Sequence, residues 1–138
     1  ASSEQAPAQT GGPAYLAAAT PPLSPPSSSY SVLGIAHDRN CNGNFVLGQV
    51  SNGAGQAVAG VRVVYQDEMG NRQETVTSGQ MPGYGSFRFA IVDDSPQHIS
   101  ISLYDSNGAA VSSAARVPHK QGGPTDLGCH YVIWTGTD

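Results

Sequence analysis

The sequence predicts an all-β fold: a seven- to eight-stranded antiparallel β-sandwich preceded by an extended Pro/Ser-rich N-terminal arm. Three observations lead there. Apolar residues recur with period two, and no helical stripe of three turns is present. The apolar runs are short and are punctuated by Gly, Asn, Asp and Pro, drawn from 17 glycines and 10 prolines. Finally, the two cysteines, Cys41 and Cys129, bracket nearly all of the strand-like sequence.

The first 29 residues have a character of their own. Pro7, Pro13, Pro21, Pro22, Pro25 and Pro26 are spread among Ala, Ser, Thr and Gly. Each proline fixes φ and removes a backbone donor, so residues 1–29 are expected to be polyproline II or a spacer rather than part of a core. Thr20, Ser24, Ser27, Ser28 and Ser29 resemble a Ser/Thr/Pro stalk open to O-linked sugar, whereas no N-x-Ser/Thr acceptor occurs. Tyr15, Leu16, Leu23 and Tyr30 are the arm's expected anchors against the body or a neighbouring subunit.

Residues 30–138 carry the sandwich. Ser31 to Ile35 reads as a short edge strand, and Phe45 to Val50 as the next, ended by Ser51-Asn52-Gly53. Gly60 to Gln66 alternates, placing Val61, Val63 and Tyr65 on one face. The turn Asp67-Glu68-Met69-Gly70-Asn71 leads into Arg72 to Thr77. Phe87, Phe89 and Ile91 share a face, as do Ile99, Ile101 and Leu103, and Asp105-Ser106-Asn107-Gly108 is a further tight turn. Val111 to Val117 is read as a strand, and Tyr131 to Trp134 closes the domain with Trp134 in the core.

The layout also resembles a known family. Gly48-Gln49-Val50, Gly55 to Val63, Asp67-Glu68-Met69-Gly70 and Tyr84 to Phe89 follow one another in an order similar to carboxypeptidase-regulatory-like, transthyretin-like β-sandwich domains. Thr75 and Thr77 fall where that family carries a threonine-bearing strand. Cys41, Leu103-Tyr104-Asp105 and Cys129 resemble domains of this kind in bacterial surface proteins. The pattern departs where an acidic-Gly pair is replaced by Gln80 to Gly85. The resemblance implies no catalysis; it implies an accessory, adhesive or spacer role.

Composition narrows the function classes. Only 12 % of residues are charged, the net charge is -4, and the six Lys and Arg are scattered, so no basic stripe exists to follow nucleic acid. No run reaches the apolar length of a membrane span. A bond between Cys41 and Cys129 would tie the two ends of the domain and place it in an oxidising compartment, secreted or at a cell surface.

His37, His98, His119 and His130 are the metal and acid–base suspects. Two arrangements compete: a Cys2His2 zinc tetrahedron from His37, Cys41, Cys129 and His130, and a disulfide with exposed histidines, which is the expectation. Asp38, Asn40 and Asn42, followed by Gly43, imitate the opening of a calcium loop, but the twelfth position is Gln49 rather than a carboxylate. Calcium is therefore a weak candidate and no other cofactor is expected. Asp93-Asp94 and Asp67-Glu68 are read as solvated turn acids, and no nucleophile or phosphate motif occurs.

The predicted role is thus a non-enzymatic structural or interaction domain of an extracellular assembly, such as a filament subunit, with a protein partner or itself as ligand. Met81 and Tyr84, at a loop tip, join the anchors Tyr15, Leu16, Leu23 and Tyr30 as contact residues. The alternative is a carbohydrate-binding module using Tyr84, Tyr104, Tyr131 or Trp134.

Overall fold

Alternation decides the architecture. In the computed structural model, which describes residues 25–39 and 41–138, the alternating apolar runs of the core become strands with one face inward. The strands are β1 (Tyr30–Asp38), β2 (Phe45–Ser51), β3 (Arg62–Asp67), β4 (Arg72–Val76), β5 (Ser86–Ala90), β6 (Gln97–Tyr104), β7 (Ala115–His119) and β8 (Cys129–Gly136). A 3-10 turn, Gly123–Asp126, precedes β8.

Two four-stranded sheets form, in the orders β1-β8-β2-β5 and β4-β3-β6-β7. Period two then fixes the core. Val46 and Val50 of β2, Phe87 and Phe89 of β5, and Val132 and Trp134 of β8 face Val63 and Tyr65 of β3, Ile99, Ile101 and Leu103 of β6 and Val117 of β7. Gly48 is required within this layer. A Cβ there would strike the Val132 carbonyl oxygen and the Phe87 ring, so only glycine lets β2 lie flat beneath that ring.

Three differences from the sequence reading have local causes. The sandwich is not wholly antiparallel: β2 pairs with β8 in parallel, Phe45 opposite Cys129 through Ser51 opposite Thr135. β8 enters between β1 and β2, and the long excursion through the second sheet supplies the crossover that parallel neighbours need. Strand β1 extends to Asp38, beyond Ile35, because Ala36 and His37 stay in register with Tyr131 and His130. Strand β7 begins at Ala115, since Val111 and Ser112 instead close the preceding turn, through Val111 N–H to the Leu103 carbonyl at 3.0 Å and Leu103 N–H to Ser112 Oγ at 2.9 Å.

The outer faces differ. The β4-β3-β6-β7 sheet shows Arg62, Glu74, Gln66, Ser100 and Arg116 to solvent, while the other sheet carries half-buried Phe45, Leu47, Tyr131 and Ile133.

Candidate functional site

Two regions combine chemistry or exposure with a defined position, one at each end of the sandwich. At the first end, residues 25–29, read from sequence as the last part of the arm, are pinned to the body. Ser27 Oγ donates to the Asp138 carbonyl at 3.0 Å and accepts from Gly53 N–H at 3.1 Å. Ser28 N–H and Oγ bond the two Asp138 carboxylate oxygens at 3.0 and 2.6 Å, holding that carboxyl below the usual carboxylate range. Asn52 Nδ2 donates to the Pro25 carbonyl at 2.9 Å. Tyr30 is 4 % exposed and its hydroxyl accepts from Ser27 N–H, so it anchors this segment to its own domain and presents no contact surface.

From there β1 runs along the free edge of its sheet. Residues 31–36 are Ser-Val-Leu-Gly-Ile-Ala, with neither charge nor proline. The register shifts between Val32 and Gly34, leaving Leu33 in a bulge and 71 % exposed, with Val32 at 38 %. Such an edge offers unpaired backbone groups to another chain.

At the opposite end, parity brings three histidines together. His130 precedes Val132 and Trp134 by two and four residues on β8, so it points into the core; His119 follows Ala115 and Val117 in the same way on β7. Both are fully buried, contrary to the expectation of exposed histidines. His37 lies opposite His130 in the ladder. The result is a continuous chain: His37 Nδ1 to His130 Nδ1 at 2.6 Å, His130 Nε2 to His119 Nδ1 at 2.7 Å, and His119 Nε2 to Asp94 Oδ1 at 2.7 Å. Lys120 Nζ donates to Asp94 Oδ2 at 2.7 Å. The His119–His130 bond links one sheet to the other.

Asp94 therefore does more than solvate a turn. The Lys120 ammonium beside it, helped by the His119 N–H, holds its carboxyl below the usual range. An ionised carboxylate only accepts, and that fixes every proton in the neutral chain. His119 carries its proton on Nε2 and accepts at Nδ1. His130 then carries Nε2–H and accepts at Nδ1, so His37 must carry Nδ1–H, leaving its Nε2 as the bare terminus. Burial, reinforced by the neighbouring His119 and His37, pushes His130 down to about 4. Burial also lowers His37.

The cysteines sit on the other side of the sheet. Cys41 and Cys129 form a disulfide with Cα atoms 5.9 Å apart. Because Cys129 and His130 are consecutive on one strand, they face opposite ways, and a shared Cys2His2 tetrahedron cannot form. Among the described residues, no group of three or more His, Cys, Asp or Glu is arranged to hold a metal ion.

The other predicted residues are scattered. Of the calcium candidates, Asp38 ends β1 and Asn42 is exposed, while Asn40 lies outside the described residues. Gln49, at the twelfth loop position, sits within β2, so strand begins before such a loop would close. Tyr15, Leu16 and Leu23 also lie outside the described residues. Met81 is 66 % exposed, but Tyr84 is half-buried with its hydroxyl enclosed. Trp134 is 1 % exposed. His98 lies on the polar outer face, its Nδ1 3.9 Å from Glu68 Oε1. The histidine chain was legible only in part: parity marks His119 and His130 as inward, but nothing near Asp94 in sequence announces its partners.

Comparison with known proteins adds little. No family model matches the chain, and no curated protein matches it. One solved structure, described as the dioxygenase domain of a novel dioxygenase carbohydrate-binding protein fusion from the cellulolytic bacterium Streptomyces sp. SirexAA-E, is 13 % identical over 84 % of this chain and 89 % of that one. Its TM-score is 0.39, and the likeness carries no argument about fold or activity. What fold and site define is a class: a disulfide-joined, two-sheet β-sandwich with a buried histidine chain.

Proposed function

We propose that this chain is a non-catalytic structural or interaction module of an extracellular assembly, with the β1 edge and the N-terminal arm as its contact surfaces. The observation that carries this reading is the uncharged edge from Ser31 to Ala36, with Leu33 71 % exposed. Main-chain pairing at such an edge supplies affinity, and the projecting Val32 and Leu33 supply apolar area. Residues 25–29 are pinned beside Asp138, and a contact that the preceding arm makes with another copy would be heterologous and open-ended, as filament growth requires.

The disulfide supports a secreted or cell-surface location. No helix among the described residues is long and apolar enough to cross a membrane. The arm's Ser/Thr/Pro composition suits O-glycosylation. The sandwich accords with the resemblance to transthyretin-like domains. Calcium at Asp38 and Asn42 has the least support, since only one of these residues is charged. The alternative, carbohydrate binding, also has little, because none of the described aromatic residues is exposed.

Sedimentation velocity on the full chain over a concentration series tests the proposal. Wild type is expected to associate as concentration rises, and Leu33→Lys to remain monomeric. Association unchanged by Leu33→Lys moves the contact away from β1; a wild type monomeric throughout removes the self-association reading.

A further inference from the structure

The histidine chain is a closed system of protons that can be counted. Its three rings offer six nitrogens. Four of them meet in two N···N contacts, and each contact is a hydrogen bond only while it holds a single proton. His119 Nε2 must keep a proton for Asp94, and among the described residues His37 Nε2 ends the chain.

The neutral chain uses three protons, one on each ring. A fourth is accepted with no bond lost. It arrives at His37 Nε2, and the chain can reverse its polarity behind it, so that the charge rests on His37, on His130 or on His119. Charge on His130 is least favourable because that ring is fully buried, whereas His119 has the Asp94 carboxylate and His37 is half-exposed. A fifth proton has no such place. It must set two N–H groups against each other across a 2.6 or 2.7 Å contact, and one contact opens.

We infer that the Asp94–His119–His130–His37 chain is an acid-responsive latch, which takes up one proton with every hydrogen bond kept and opens the end of β1 when it takes up a second. The contact that yields is His37–His130. His37 is half-exposed on an edge strand, while His119 is locked between β6 and Asp94. The Cys41–Cys129 disulfide keeps the opened strand end tethered to β8, so the movement is local and reversible.

The charged and titratable groups around His130 are few. β1 contributes His37 and, beyond it, Asp38 in register with Cys129; β7 contributes His119, followed by Lys120. The β5–β6 connection contributes Asp94, while Asp93 is engaged with Ser95. β2 contributes none, Tyr131 faces the outer side, and the Asp126 carboxylate accepts from Gly122 N–H. Of these, the Asp94 carboxylate is the negative charge in direct contact with a ring of the chain, and it is shared with Lys120.

Histidine-ring ¹H–¹⁵N correlation spectra of the full chain, combined with amide exchange across a pH series, test this. Above neutrality His119 and His130 are expected as Nε2–H tautomers and His37 as the Nδ1–H tautomer; His37 found with Nε2–H overturns the assigned polarity. On acidification the spectra should register one proton taken up with the β8-facing amides among residues 35–38 still protected, then loss of that protection with the second. Opening with the first proton, or protection surviving two, overturns the latch. Asp94→Asn removes the carboxylate that favours charge on His119, so the second proton, which sits on the His119–His130 pair once His37 is charged, is held less well. Opening should then move down by about one pH unit, a tenfold change in proton affinity; an unmoved or raised midpoint in a folded variant overturns the mechanism.

Discussion

Removing the Cys41–Cys129 bond should cost this domain much of its stability. The cysteines are 88 residues apart in sequence, so the bond closes most of the folded chain into one loop. Freeing a loop of that length returns about 15 cal/mol/K to the unfolded chain, which is about 4–5 kcal/mol at 25 °C. Domains of this size hold only about 5–15 kcal/mol in total, so the loss is a large fraction. The double variant Cys41→Ser/Cys129→Ser isolates the effect without leaving a free thiol. Urea unfolding of both proteins, followed by Trp134 fluorescence, gives the difference directly, because that ring passes from a sealed core to water. At about 2.1 cal/mol/K per residue of unfolding entropy, the same loss lowers Tm by roughly 15–20 °C. A variant within about 1 kcal/mol of wild type would refute the chain-entropy argument, and with it the disulfide's place as the tie between the first and last strands.

Other perturbations probe separate parts of the account. Gly48→Ala should destabilise by about 2–3 kcal/mol in the same assay, because the new methyl group meets the Val132 carbonyl oxygen and the Phe87 ring. Thr77 is 2 % exposed; its Oγ1 accepts from Val61 N–H at 3.1 Å and donates to the Val58 carbonyl at 2.7 Å. Thr77→Val keeps the shape and orphans both backbone groups, for a loss of about 2–3 kcal/mol in urea unfolding. Acid should weaken the fold through His130, which sits at about 4 when folded against an ordinary value of about 6.5. Between these values the unfolded chain binds more protons, so stability is complete above about pH 6.5 and falls by up to about 3 kcal/mol as pH approaches 4. His37 adds in the same direction, and Asp94, held below its usual range by Lys120, extends the loss further into acid. Urea unfolding at stepped pH checks this; a flat profile from pH 7 to 4 would contradict the burial of neutral histidines.

Period two was sufficient to find the strands, since each of Val63, Tyr65, Phe87, Phe89, Ile99, Ile101 and Leu103 faces inward where alternation puts it. Sheet order was not legible. The parallel pairing of β2 with β8 depends on which strand fills the gap beside β1, and no local residue encodes that. The candidate site divides along the same line. His119 and His130 share parity with the core residues Val117 and Val132, a pattern readable from sequence once β7 is placed. Asp94 and Lys120 complete the chain from loops, and their meeting is a product of tertiary folding. Tyr30 was open to two readings, an anchor against the body or against a neighbouring subunit; the ladder with Gly136 carries it inward, against its own domain.

The claim that β1 is the interaction edge is tested most directly by amide hydrogen exchange on the full chain, compared between dilute and concentrated solution. Added protection at concentration should be confined to residues 31–36, on amides facing away from β8. Protection appearing elsewhere, with the β1 amides unchanged, would contradict it.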